Sequence, residues 1–161
     1  CKVFYPLAYY CAYYSIRANA FDYEKMAMGR ERLEYYINDY KAKKADGTIS
    51  NVEDDELKDM RIVQEMYARG FEFVPIDIYK AKARSFQIID GKIMPSFKVI
   101  SKVGESAGES IEIAARDGEF LSKDDLRQRA RIGQTVIEKL GELGLLDGMA
   151  ESNQLSLFDV I

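Results

Sequence analysis

The chain has 161 residues, 47% hydrophobic and 31% charged, which is the composition of a folded globular protein rather than a disordered one. Histidine is absent, which argues against Ser-His or Cys-His catalysis and against most zinc sites. The net charge of −4 argues against binding nucleic acid through a general excess of positive charge.

The first 70 residues are predicted to be helical and to form one domain (1–70). Pro6 can occupy the first position of a helix, where its missing amide hydrogen is not needed. A second helix is predicted from Asp22, its cap, to about Lys44, and a third from about Glu53 to Arg69. The apolar residues at helical spacing, which should face the core, are Leu7, Tyr10, Cys11, Tyr14, Met26, Leu33, Ile37, Tyr40, Leu57, Met60 and Val63.

Residues 71–94 are predicted to form a small antiparallel β-element of two or three strands. The stretch 71–79 is rich in aromatic and branched residues, and Asp90-Gly91 predicts a two-residue hairpin turn. Lys80, Lys82 and Arg84 alternate with alanines, so on a strand they would share one face. They could meet a phosphate backbone or protect a sheet edge, and both interpretations stay open.

Residues 95–146 are predicted to be helical again, in short pieces. A brief helix over 95–100 leads through a tight turn at 101–104 into a longer helix over 105–116. This pattern predicts a helix-hairpin-helix motif, a fold that directs free amides at the start of the second helix towards a DNA phosphate. Because phosphates carry no sequence information, such a contact would be independent of DNA sequence.

The residues expected to contact DNA at this turn are Lys102, Val103, Gly104, Glu105 and Ser106. A turn of this kind usually has two glycines around an apolar residue, and here Lys102 takes the place of the first. Lys102 could restrict the backbone or could add a cation near the phosphate. The alternative to DNA binding is a corner between two helices that serves only packing.

A second helical pair is predicted over 122–131 and 134–143, joined by a short turn. Ser122 should cap the first of these helices, with Asp125 as its partner. Arg127, Arg129 and Arg131 cluster here, so the pair could be a second, degenerate hairpin. A charged face exposed to solvent explains the same pattern equally well.

Residues 147–161 are predicted to be an open tail that ends in an apolar group. A flexible terminus with exposed leucine and phenylalanine would be a liability unless a partner binds it. Alternatively, the tail packs on its own domain. The residues expected to dock in a partner are Gln154, Leu155, Ser156, Leu157 and Phe158.

The cysteine content, the apolar runs and the first residue predict the cellular location and whether the chain belongs to a longer protein. Two cysteines, Cys1 and Cys11, are too few for a disulfide scaffold, so we expect a reducing, cytoplasmic location. No apolar run approaches the roughly 20 residues of a membrane helix, so we expect no membrane partner. Because the chain opens with Cys1 rather than methionine, we expect it to be a segment of a longer protein.

Several stretches resemble the PolC-type alpha subunit of DNA polymerase III, the replicative polymerase of low-GC Gram-positive bacteria. The resemblance extends over essentially the whole chain, and its most specific parts are residues 118–126 and 153–158. The stretches that carry it are Lys2-Val3-Phe4-Tyr5-Pro6-Leu7-Ala8-Tyr9-Tyr10, Arg17-Ala18, Arg69-Gly70-Phe71, Ile76-Asp77-Ile78-Tyr79, Gly118-Glu119-Phe120-Leu121-Ser122-Lys123-Asp124-Asp125-Leu126 and Asn153-Gln154-Leu155-Ser156-Leu157-Phe158.

The resemblance implies a C-terminal polymerase region that follows the catalytic palm. It implies the end of the fingers, a duplex-binding domain with the helix-hairpin-helix, and a terminal peptide that binds the beta subunit of the sliding clamp. The expected partners are therefore double-stranded DNA, the clamp and the remainder of the polymerase chain. The family usually has glycine at the position of Lys102.

Catalysis is expected to lie outside this segment. Nothing here matches the catalytic aspartates, so we expect no activity and no cofactor in the segment, and magnesium in the parent polymerase. The pairs at 54–55 and 124–125 lie at predicted helix starts, where carboxylates favour the helix dipole. Two alternatives remain: a helical protein-interaction module without DNA binding, and the C-terminal part of a DnaE-type alpha subunit. The second is disfavoured because the chain stops just after Phe158.

Overall fold

A computed structural model describes residues 2–152, which form two compact units. The first comprises residues 2–75 and 85–95, and the second comprises 76–84 and 96–152. The first contains α1 (Pro6–Ile16), α2 (Tyr23–Met26), α3 (Arg30–Ala45), α4 (Asn51–Ala68), β1 (Gln87–Ile89) and β2 (Lys92–Met94). The second contains a 3-10 helix (Phe97–Val99), α5 (Gly104–Ala115), α6 (Lys123–Ala130) and α7 (Gln134–Glu142). The predicted fold class, mainly helical with a small antiparallel β-element, is confirmed; the four-segment division stays a prediction.

The single helix predicted from Asp22 to Lys44 is wrong, because the chain breaks at Gly29. Gly29 has a φ of 106°, which side-chain-bearing residues rarely adopt, and it separates α2 from α3. Asp22 does cap α2, where its carboxylate accepts a hydrogen bond of 3.1 Å from the Lys25 amide. The predicted apolar stripe is buried on both sides of the break, at Met26, Leu33, Ile37 and Tyr40.

Helix α4 begins two residues earlier than predicted because a reciprocal cap stabilises its start. The Ser50 hydroxyl accepts from the Glu53 amide, and the Glu53 carboxylate accepts from the Ser50 amide, each at 3.1 Å. Two backbone donors that would otherwise lack partners are thereby satisfied.

The predicted hairpin is present, and of the two or three strands expected over 71–94 the structure has two, none of them in the stretch 71–79. Strands β1 and β2 pair antiparallel around Asp90 (φ 52°) and Gly91 (φ 77°), the left-handed pair that a two-residue turn requires. The stretch 71–79 makes only an isolated bridge between Phe73 and Ile93. Phe73 instead joins a cluster of rings with Tyr14, Phe21 and Phe86, so its aromatic character serves core packing rather than strand pairing.

The start of the first unit leaves apolar side chains in solvent. In α1, Tyr10 and Tyr14 are fully buried, as their helical spacing predicted. By contrast, Phe4 is 81% exposed and Ile16 is 74% exposed. Within residues 2–152, no helix combines the length and hydropathy needed to cross a bilayer.

Candidate nucleic-acid interface

Residues 80–84 of the second unit, whose cations would share one face on a strand, do not form a strand. Its backbone bonds the start of the 3-10 helix, since the Lys82 and Ala83 carbonyls each accept at 3.0 Å, from the amides of Phe97 and Lys98. Ala81 and Ala83 are buried, whereas Lys82 and Arg84 are exposed. Lys80 is exposed as well. The alternation therefore places alanines against the unit and cations outside, without sheet pairing.

Segment 80–84 packs closely on α5 at a glycine. A β-carbon on Gly108 would lie 2.8 Å from the Phe97 β-carbon and 3.4 Å from the Ala83 α-carbon. No real side chain tolerates the distance to Phe97, so the close approach of α5 to the 3-10 helix requires glycine, while Ala83 of the segment lies at ordinary contact distance.

The first hairpin turn, defined as residues 102–104, joins the 3-10 helix to α5. The helix predicted over 95–100 is a single 3-10 turn, Phe97–Val99. Lys102 (φ 71°) and Gly104 (φ 73°) both adopt the left-handed conformation, and Val103 between them is buried. Lys102 thus takes a backbone conformation that usually favours glycine, at a cost of roughly 1–2 kcal/mol.

Three backbone amides are available after this turn. The Val103 amide donates to the Ile100 carbonyl at 3.2 Å, so it is already used inside the turn. Among the described hydrogen bonds, none is donated by the amides of Gly104, Glu105 or Ser106, which are the first of α5. All three residues are exposed, and a β-carbon on Gly104 would meet nothing within 4 Å. A phosphate could therefore approach these amides without rearrangement.

Charged side chains surround this turn. Lys102 is exposed, and the described residues include no ion pair of its ammonium group. Arg84 is brought to the hairpin by segment 80–84: its Nε lies 3.3 Å from Glu105, and its guanidinium also contacts Glu109. The described structure thus brings Arg84 together with residues 102–106, whereas the Lys82 side chain has no described contact with the hairpin.

The second hairpin turn, defined as residues 131–133, joins α6 to α7. Arg131 is left-handed (φ 54°), Ile132 is buried, and Gly133 is exposed and caps α7. Ser122 caps α6 as predicted, accepting at 3.0 Å from the Asp125 amide. The Asp125 carboxylate, however, accepts from Leu121 at 2.9 Å, one residue before the cap.

Arg129 connects the two helical pairs, a role that its spacing in the sequence does not indicate. Its guanidinium donates to the carbonyls of Glu119 (2.8 Å), Ala114 (2.9 Å) and Gly118 (3.1 Å). It also lies over the Phe120 ring, with its central carbon 4.5 Å from the ring centroid. Arg129 therefore binds the end of α5 from α6 and is occupied structurally, unlike a surface cation.

Members of the two adjacent aspartate pairs lie at helix starts, as predicted. Asp54 lies in the first turn of α4 and pairs with Lys44 at 3.1 Å, while Asp124 and Asp125 lie in the first turn of α6. Residues 2–152 contain no group of three or more Cys, Asp or Glu side chains arranged to hold a metal ion. The predicted docking residues Gln154, Leu155, Ser156, Leu157 and Phe158 lie outside the described residues.

Comparison with known families agrees with this geometry. The family model for the helix-hairpin-helix motif matches residues 70–155, more than half of the chain. The chain belongs to the helix-hairpin-helix family. The match includes both hairpin turns of the second unit, so the helix-hairpin-helix predicted from the sequence is confirmed.

Relatives of this helix-hairpin-helix chain carry the name DNA polymerase III PolC-type. Those from Streptococcus suis (strain 98HAH33) and Streptococcus pyogenes serotype M2 (strain MGAS10270) are 44% and 43% identical over 158 residues. One from Streptococcus pneumoniae serotype 2 (strain D39 / NCTC 7466) is 42% identical. Each match includes 98% of this chain but only 11% of the relative. The predicted resemblance to a part of PolC-type polymerases is confirmed.

Proposed function

We propose that this chain is the C-terminal segment of a bacterial replicative polymerase that holds duplex DNA by its backbone and tethers the enzyme to the sliding clamp. The observation that carries the proposal is the first hairpin turn, which presents the unpaired amides of Gly104, Glu105 and Ser106 at the start of α5. Membership of the helix-hairpin-helix family and similarity to PolC-type polymerases support it.

Phosphate binding follows from the chemistry of a helix start. Free amides and the positive end of the helix dipole attract an anion. Lys102 adds an exposed cation at the same turn. Such contacts act on the DNA backbone, so binding should not depend on base sequence.

The second hairpin turn supports the same proposal. It repeats the order of the first, with a left-handed basic residue, a buried aliphatic residue and glycine. The second residue after each glycine is exposed and carries a hydroxyl group: Ser106 after the first turn and Thr135 after the second. Two turns of one pattern would hold two sections of a phosphate backbone.

The proposed clamp contact rests on the sequence of the tail. Buried Leu157 and Phe158 would each contribute roughly 1.5–3 kcal/mol, and Gln154 would fix their position by hydrogen bonding. After the cost of ordering the peptide, the contact should be weak, on the order of micromolar. A clamp already threaded on the bound duplex makes the second contact intramolecular, which can raise the avidity by ~10²–10⁴-fold.

Catalysis belongs, in this proposal, to other parts of the longer polymerase. Its magnesium ions would be held there, and the present segment would supply attachment only. The setting would be the bacterial cytoplasm, where the chromosome is replicated.

Gly104→Val tests the duplex contact. A branched side chain at a φ of 73° strains the turn and covers the amides, so we expect affinity to fall at least tenfold, equally for unrelated duplexes. The measurement is fluorescence anisotropy with the 161-residue chain over a salt series. Gly47→Val is the matched control, because Gly47 has a φ of 72° and open surroundings but lies in the first unit. An equal loss in the control, or a loss that depends on sequence, would contradict the proposal.

Leu157→Ala with Phe158→Ala tests the clamp contact. We expect calorimetry to show no binding of the double variant to the bacterial clamp, as for a chain without its last eight residues. Leu121→Ala removes a leucine that is 69% exposed elsewhere and should leave binding unchanged. Clamp affinity that survives the double substitution would overturn this part of the proposal.

A protein-interaction module without DNA binding is the second candidate, favoured by one observation. The exposed side of α1 forms an apolar groove of about 400 Å³, lined by Ala8, Tyr9, Ala12, Tyr13, Ile16 and Arg17. The same salt series separates the two candidates, because DNA affinity that depends on cations falls steeply with salt.

A further inference from the structure

Arg84 forms an ion pair with the carboxylate of Glu105, the residue that directly follows the first hairpin turn. Its Nε lies 3.3 Å from Glu105, and its guanidinium also contacts Glu109 one helical turn further along α5. Glu105 stands between Gly104 and Ser106, so its negative charge lies among the amides proposed to bind phosphate. The cation thus lies next to the one acidic residue in the first turn of α5.

A carboxylate at that position opposes phosphate binding unless it is neutralised. Two anions a few ångströms apart repel each other even in water, whereas an adjacent guanidinium cancels most of that field. The second hairpin turn offers the contrast: the first turn of α7 contains no acid, and Gln134 follows Gly133 where Glu105 follows Gly104.

We propose that Arg84 controls duplex binding by neutralising Glu105 rather than by contacting phosphate itself, an inference that rests on the proposed function. Arg84 is thus a positioning residue for the electrostatics of the first hairpin turn. The side chains of Arg84 and Glu105 are 60% and 54% exposed, so their ion pair adds little to folding stability. Loss of this ion pair should therefore change the affinity for duplex DNA rather than the free energy of unfolding.

A double-mutant cycle on the 161-residue chain tests this proposal. The variants are Arg84→Gln, Glu105→Gln and the combination, each titrated with a 20-base-pair duplex at low salt. We expect Arg84→Gln to weaken binding about fivefold, the scale of one like-charge contact near the protein surface. In the Glu105→Gln background, the same change should alter affinity less than about twofold.

Glu109→Gln is the matched control, since Glu109 also pairs with Arg84 but lies one turn away from the amides. In that background the effect of Arg84→Gln should remain about fivefold. Thermal unfolding of every variant should stay close to that of the wild type, because the ion pairs concerned are exposed.

The salt dependence gives a second readout. A cation that contacts phosphate directly contributes about 0.9 to the slope of log affinity against log salt concentration. Under the proposal the slope keeps its wild-type value in Arg84→Gln.

Two results would overturn the inference alone: a fivefold loss that persists in the Glu105→Gln background, or a slope that falls by about 0.9. A wild-type chain that binds no duplex at low salt would instead reject the proposed function, and this inference with it.

Discussion

The two hairpin turns of the second unit have the same order of residue types but different backbone geometry. In each, a basic residue is left-handed, at Lys102 and Arg131, and the following aliphatic side chain is buried. The glycines differ: Gly104 has a φ of 73°, whereas Gly133 has a φ of −81° and an extended ψ of 167°. Only the first turn therefore needs glycine for its conformation.

This difference shows what each turn depends on. The first follows a single 3-10 turn and relies on two left-handed positions, one on each side of Val103. The second follows the eight-residue helix α6, which Arg129 attaches to the end of α5. The first turn is thus defined by local backbone conformation, and the second by the position of the helix before it.

Arg129→Met should have the largest effect on stability. Methionine keeps an apolar stem near the Phe120 ring but removes the donors to Glu119, Ala114 and Gly118. Because hydrogen bonds from a charged donor contribute about 1.5–3 kcal/mol each and are not additive, we expect the free energy of unfolding to fall by about 3 kcal/mol. Urea denaturation followed by circular dichroism measures this loss.

Arg127→Met is the control for that change. Among residues 2–152, the side chain of Arg127 makes only a long ion pair of 3.9 Å with Asp124, so its replacement should change the free energy of unfolding by less than about 0.5 kcal/mol. Equal losses for the two arginines would show that α6 is not held by the guanidinium of Arg129.

The elements predicted best were those with a local physical cause. The hairpin at 90–91 needs two left-handed residues, which Asp-Gly supplies, and the observed turn lies there. The break at Gly29 was missed because Met26, Leu33 and Ile37 keep their helical spacing across it. The spacing of apolar residues indicates which face of a helix is buried. A short break after which the same face stays buried does not change that spacing, so the spacing cannot reveal the break.

The candidate site was predictable in its backbone and not in its contacts. Gly104 and the apolar Val103 before it predicted the first turn. Both features are local, because Gly104 permits the left-handed backbone and Val103 supplies the buried side chain. Arg129 bonds carbonyls 10 to 15 residues away, and Arg84 reaches α5 from 25 residues away. Which carbonyl or carboxylate an arginine meets depends on tertiary packing, which spacing along the chain does not encode.

Glycine-to-alanine changes in α5 and α7 should have opposite signs. Gly108→Ala would place a methyl group 2.8 Å from the Phe97 β-carbon, so we expect a loss of about 2 kcal/mol as the 3-10 helix is displaced from α5. Gly141→Ala, in α7, meets nothing within 4 Å and should stabilise the fold by about 0.5–1 kcal/mol through helix propensity. Urea midpoints measure both, and a neutral Gly108→Ala would contradict the close packing of the 3-10 helix on α5.

Lys102→Gly and Arg131→Gly should have small effects on stability and the most informative effects on binding. Glycine relieves the left-handed strain at φ 71° and φ 54° but adds freedom to the unfolded chain, so each should stabilise by roughly 0.5–1 kcal/mol. If the cation of each turn contacts phosphate, each variant should also lower the salt slope of duplex binding by about 0.9. Thermal unfolding and a salt titration of the same samples separate the two effects. A lower slope for Lys102→Gly alone would show that the second turn shares the residue order of the first without sharing its ligand, whereas unchanged slopes for both would assign the phosphate contacts to the backbone amides.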